Sequence, residues 1–248
     1  MAELTTGRWG RAAAGADDLI RWAIVMAVTV LGAVILWDYG FLGYVIENDI
    51  TFISQVILVC FVAASLYVLW HLVALSRELA AVERIGARLV EEPGAARGMA
   101  GPGPRGTRSE EWVADIIRAR MGDGEAKPDA LLAAAGSEVR HPVRLSVYMC
   151  DALYRLGMLG AVVGFIMMLA SVADLASFDA ESLRGALQEM TAGMAVSLLT
   201  TIVGLATGMI LRVQANIIDS LSQRILRRIV RIATVLVPAA IAGADDHV

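Results

Sequence analysis

The sequence is short of the side chains from which metal centres and disulfide frameworks are built. It has two cysteines, Cys60 and Cys150, far apart and without CxxC spacing, which argues against a disulfide framework or a thiolate metal site. Its three histidines, His71, His141 and His247, lie in three separate regions, so no metal cluster is visible. A phosphate loop is missing, which excludes ATP hydrolysis by this chain as an energy source. Neither a nucleophile–base pair nor an alternating β pattern can be found. The chain is therefore expected not to be an enzyme and to need no cofactor. The last absence is the most pointed: no charged residue or histidine occurs in Leu156–Ala173 or in Met190–Leu211.

What the chain does have is apolar surface in long blocks. Apolar residues make up 57% of it, and the mean hydropathy of +0.64 exceeds that of soluble domains. The predicted fold is an all-α integral membrane protein with four transmembrane helices, a helical cytoplasmic domain between spans 2 and 3, and a long C-terminal cytoplasmic helix. Residues 1–21 form a polar cytoplasmic segment. Residues 22–75 form a transmembrane hairpin, its first span Trp22–Trp37 and its second running from Ile50 to about Leu75. Glu47, Asn48 and Asp49 mark the turn between them. The first span ends in Trp37-Asp38-Tyr39 and not in a small-residue cleavage site, so it is read as retained and not as a signal peptide. His71 reads as an interfacial residue at the end of span 2.

Residues 76–150 form the cytoplasmic domain. Leu75, Leu79, Val82, Ile85 and Leu89 repeat at helical spacing, so helix two is expected to continue out of the membrane. Pro93 to Arg108 is a flexible linker rich in Gly and Pro. Its arginines could touch nucleic acid, but membrane topology already explains them, so no nucleic-acid partner is expected. A helix should start at Ser109. Breaks are expected at Gly122–Pro128, at Gly136-Ser137 and at His141-Pro142. Residues 151–212 form a second transmembrane hairpin whose short loop holds Asp179, Glu181 and Arg184. Residues 213–248 are a C-terminal helix and tail, with an apolar stripe at Ile217, Leu221, Ile225, Ile229 and Ile232 that Pro238 should end. Basic residues set the orientation: twelve fall in 76–155 and five from Arg212 onward, against none in 38–49 and one in 174–189. The termini and residues 76–150 are accordingly placed in the cytoplasm.

Small residues recur on one side of each helix of the second hairpin. Gly157, Gly160 with Ala161, Gly164, Met168 and Ser171 make one row; Gly193, Ser197, Thr201, Gly204 and Gly208 make the other, with Thr200 at its edge. Such rows let helices approach closely in lipid, and that alone would account for them. The alternative is that Thr201, with Ser197 or Thr200, offers hydroxyls to an ion path. A proton path through the bilayer needs a titratable group. These two spans contain none, so a second polypeptide would have to supply the carboxylate.

The segments Gly157-Met-Leu-Gly160-Ala161-Val-Val-Gly164 and Gly193-Met-Ala-Val-Ser197-Leu-Leu-Thr200-Thr201-Ile-Val-Gly204-Leu205 resemble those of the MotA/TolQ/ExbB proton channel family of ion-driven membrane motors. The resemblance implies a homopentamer in the bacterial inner membrane, in contact with lipid. The pentamer would surround a dimer of a single-span protein, MotB/TolR/ExbD-like, whose transmembrane Asp carries the ion. It places the family's pore threonine on Thr201 and implies packing and partner contacts for Gly157, Gly160, Gly164, Gly193, Gly204 and Gly208. The third-span threonine of the TolQ and ExbB branch falls on Ala161, and that branch's acidic residue falls on Val196. Alanine at 161 and four spans resemble the flagellar stators, whose characteristic prolines are nevertheless missing here. The output of the motor and the choice of H⁺ or Na⁺ stay open. A non-conducting membrane scaffold is the competing expectation.

Overall fold

Helical periodicity extends well beyond the apolar runs, and the helices follow it. The structure is a computed structural model, which describes residues 9–40, 52–91, 98, 106–121, 127–173 and 180–239. The described residues form five helices: α1 (Trp9–Asp38), α2 (Ile53–Glu91), α3 (Arg108–Met121), α4 (Pro128–Ala173) and α5 (Ala180–Arg231). A π-helical turn, Ile232–Leu236, follows α5. No strand occurs among the described residues. Four of the helices are long and apolar enough to cross a membrane. The protein is an all-α, multi-pass membrane protein.

Helix runs through several stretches expected as a polar segment, a break or a loop. The expected polar segment 1–21 is helical from Trp9. Gly136-Ser137 and His141-Pro142 do not interrupt α4, which is one helix of 46 residues with Pro142 inside it. A glycine and a proline in a helix interior cost about 1 and 3 kcal/mol. Against that, Val139 is buried, and Leu131, Leu132 and Val143 pack on the same core. Burying each such side chain is worth about 1.5–3 kcal/mol, enough to carry the helix through. The Ser222 hydroxyl also donates to the Val139 carbonyl at 3.4 Å. That carbonyl is next to the Glu138 carbonyl, which a proline at 142 cannot serve. Glu181 and Arg184, expected in a loop, belong to the first turns of α5.

Pro238 does not end the last helix either, since 237–239 remain helical. The preceding turn widens instead: the Val237 N–H bonds the Ile232 carbonyl, five residues back. A π-turn of this kind is one way for a helix to absorb an inserted or unserved position. The expected turn at Glu47–Asp49, the break at Gly122–Pro128 up to residue 126, and most of the linker 93–108 lie outside the described residues. Arg108 opens α3, one residue ahead of the expected Ser109.

The described parts of Met1–Trp22, Leu69–Arg144 and Asn216–Val248 make one compact unit. Its core is the pair of stripes seen in the sequence: Leu75, Leu79, Val82, Ile85 and Leu89 of α2 meet Leu221, Ile225, Ile229 and Ile232. Val113, Ile116 and Ile117 of α3 close it. The α3 N-terminus docks through Glu78 of α2, whose carboxylate accepts the backbone N–H groups of Arg108 at 3.3 Å and Ser109 at 2.9 Å. An acidic group at orphan N–H donors suits the helix dipole. Asp18 of α1 is buried against Arg224 of α5 as an ion pair. Such a pair fixes where the α1 helix lies more than it adds stability.

The other unit comprises the described parts of Ala23–Val68 and Leu145–Ala215. Nothing in the apolar window of α1 is buried, so that helix lies at the periphery of its unit.

Ile225 lies at the centre of the first unit with no exposed surface. Ile225→Ala should lower stability by about 2–5 kcal/mol. Val230→Ala, on an exposed position of the same helix, should change it by no more than about 0.5 kcal/mol. Thermal unfolding of the two variants side by side checks this.

Candidate functional site

The transmembrane parts of α4 and α5 run antiparallel, and for most of their contact no side chain separates them. A Cβ built on Gly164 would lie 2.5 Å from the Ser197 backbone N, and one on Gly193 would lie 2.7 Å from the Met168 backbone N. Gly157 and Gly204 face each other in the same way, a Cβ on Gly204 falling 2.7 Å from the Gly157 Cα. At Gly208 the added atom would strike the Tyr154 ring at 2.6 Å. These distances are below any real Cβ contact, so backbone meets backbone only because these positions have no side chain.

Gly160 contributes differently. The Thr200 side chain fills the notch it leaves, and a Cβ there would fall 2.6 Å from the Thr200 Cβ. Thr200 is consequently buried, with its hydroxyl donating to the Val196 carbonyl at 2.8 Å. The expected register was one position out: Thr200, not Thr201, lies on the glycine contact face. The 4-4-3-4 spacing through Thr201 and the 4-3-4-4 spacing through Thr200 are equally good helical rows, and only the partner helix distinguishes them.

Thr201 has a different place. Successive helical residues are about 100° apart. Thr201 is one such step from Thr200, and Ala161 is one step, in the same sense, from Gly160. Because α4 and α5 are antiparallel, equal steps in the same sense lead to the same edge of the hairpin. Ser197 lies about 60° from Thr200 on that side. Ala161, Ser197 and Thr201 are all half-buried. The opposite edge is covered: Leu199 is buried, and so is Val196. The hairpin therefore has one closed edge and one open edge, and the open edge holds Ala161, Ser197 and Thr201.

The open edge is an acceptor surface. The Thr201 hydroxyl donates to the Ser197 carbonyl at 2.8 Å. With its proton committed, the oxygen still presents lone pairs to a cation or to a protonated acid. Nothing on the two spans can itself carry a proton, and no group of three potential metal ligands occurs among the described residues. Outward from the hairpin, Phe165, Ile166 and Leu169 of α4 and Leu198, Ile202 and Leu205 of α5 are exposed, an apolar surface suited to lipid or to further helices.

Residues 150–231 match the model of the MotA/TolQ/ExbB proton channel family. The match covers one segment and not the whole chain. It takes in the whole glycine-lined hairpin and the α5 extension as far as Arg231, about a third of the chain. No curated protein and no solved structure matches the chain. The family is one of membrane proton channels, and the similarity falls on the glycine-lined hairpin of this chain. Within the segment, Val196 is fully buried.

One cluster escapes the motif entirely. Gln214, near the end of the MotA/TolQ/ExbB hairpin, is wholly buried; its amide oxygen accepts the Ser65 hydroxyl at 2.9 Å, and its amide nitrogen lies 3.3 Å from the Met26 sulfur. The cluster ties α1 and α2 to α5 at one depth. A buried amide needs partners, and Gln214 beside an apolar run and Ser65 inside one were the available signals; their pairing was not readable.

Gly164→Ala should separate the two helices and cost about 1–3 kcal/mol by overpacking. Gly185→Ala, where a Cβ would meet nothing within 4 Å, should gain up to about 1 kcal/mol of helix propensity. Apparent melting temperatures in one detergent check both signs.

Proposed function

We propose that the chain is one of five identical subunits of an inner-membrane motor that couples an ion gradient, taken as protons, to mechanical work. In this reading the subunits surround a dimer of a single-span protein with a transmembrane Asp, and the termini face the cytoplasm. The observation that carries it is the combination at the hairpin: an open edge of hydroxyl acceptors, with no carboxylate on either helix. A protonated Asp of the partner would donate to the Thr201 oxygen, whose own proton is already held by the Ser197 carbonyl. Deprotonation toward the cytoplasm removes that donor, so the partner's hold on one subunit is released and the next can take it. The gradient supplies about 2.3 kcal/mol per charge per 100 mV, which favours a low-friction contact and small forces at each step. Ala161 leaves the edge with fewer hydroxyls than a threonine would.

A scaffold reading also has an observation in its favour. All six glycines are used in packing within one chain or in accommodating Thr200 and Tyr154, and the Thr201 hydroxyl is satisfied by its own helix. The two readings part at Thr201. Thr201→Val keeps the shape and removes the hydroxyl, both the acceptor and the donor to the Ser197 carbonyl. It should reduce ion-driven output at least tenfold, about 1.4 kcal/mol in barrier terms, while native mass spectrometry still shows five copies with two of an Asp-bearing partner. Full output from the valine variant, or a complex without such a partner, leaves the scaffold reading standing.

A further inference from the structure

Past the last apolar span, α5 carries Arg224, Arg227, Arg228 and Arg231 at spacings of three, one and three, a single stripe on the helix. The stripe walls a cleft of about 400 Å³ whose far side is Leu79 and Glu83 of α2. A second cleft of about 540 Å³ shares Glu83, Arg228 and Arg231 with the first and continues over Val82, Gly86, Ile232 and Leu236. One part is thus basic, and the adjoining part is mainly apolar, with Glu83 and Glu91 also in its wall. The π-turn Ile232–Leu236 contributes to the wall of the apolar part, and such turns often occur where a helix lines a site.

Charge in the basic part is not balanced. Arg224 pairs with Asp18, and Arg228 lies 3.8 Å from Glu83, a loose contact. Among the described residues no carboxylate pairs with Arg227 or Arg231. The inward bias of positive charge explains why arginines occur in this segment. It does not explain why four of them wall one concavity at the cost of mutual repulsion. Guanidinium groups present a rigid fork of donors that matches phosphate oxygens two at a time. The volumes fall in the range of small-molecule sites, about 300–1,000 Å³, which combine an apolar lining with a few polar anchors.

We propose that this two-part cleft binds a phosphate-bearing organic anion, with its phosphate on Arg227 and Arg231 and its less polar part over Gly86 and Ile232. The proposal stands independently of the ion-motor reading. A soluble organic phosphate and a phospholipid headgroup share the required chemistry. In the test, the full chain is held in phosphatidylcholine nanodiscs and titrated calorimetrically with ADP and with pyrophosphate. Both should bind. Arg227→Gln/Arg231→Gln should weaken both at least about tenfold without lowering the melting temperature, because it relieves repulsion. Gly86→Leu, which fills the apolar part, should weaken ADP and spare pyrophosphate. Competition by phosphatidylglycerol in the discs assigns the lipid as the source of the phosphate; its failure to compete assigns a soluble compound. Absence of binding at millimolar ADP and pyrophosphate overturns the proposal. So does a double variant that binds like the parent chain, or binding of poly-glutamate alone.

Discussion

Everything in the transmembrane hairpin depends on one steric condition: two helix backbones in contact with nothing between them. Lipid gives apolar helices no hydrophobic reason to associate, so close approach and dispersion contact have to supply the attraction. Glycine at 157, 164, 193 and 204 permits that approach. The contact also fixes rotation. Once Gly160 must receive Thr200, no freedom remains about which residues reach the edges. Ala161, Ser197 and Thr201 go to one edge, Leu199 and Val196 to the other. The position of the hydroxyl at 201 is a consequence of where side chains are missing.

Much of this was legible from residue spacing. The stripes Leu75–Leu89 and Leu221–Ile232 have the spacing of amphipathic continuations of the membrane helices, and they form the core of the first unit. The four apolar runs coincide with four long helices, and the glycine-rich segments coincide with the family match at 150–231. The unreadable parts share a physical cause. Gly136 and Pro142 are local helix breakers, and only the partner surface shows that burial of Val139 and its neighbours exceeds their cost. Thr200 and Thr201 are equivalent on an isolated helix and differ only against Gly160. Glu78 caps α3 from another helix, and Gln214 finds Ser65 at a separation of 149 residues; neither relation leaves a trace in local sequence.

The proposed function turns on an asymmetry between acceptors and acids. A polar edge without a titratable group can guide and hold a proton carrier but cannot be one. That division would place the chemistry on a partner and the geometry here. It also accounts for an apolar exterior punctuated by so few polar side chains. The buried Gln214–Ser65 bond serves a complementary purpose, tying α2 to the helix that carries Thr201, so that the edge is held by contacts on its far side.

The central claim is that the hairpin has one open and one closed edge, and the proposed ion path requires the open one to be reached by water. Single cysteines at 161, 197, 199 and 201, in a chain whose exposed Cys60 and buried Cys150 are replaced by alanine, test it directly in membranes with a small water-borne thiol reagent. The account predicts rapid labelling of Ala161→Cys, Ser197→Cys and Thr201→Cys, and protection of Leu199→Cys. Equal labelling of Leu199→Cys and Thr201→Cys, or labelling of the 199 position alone, would contradict it.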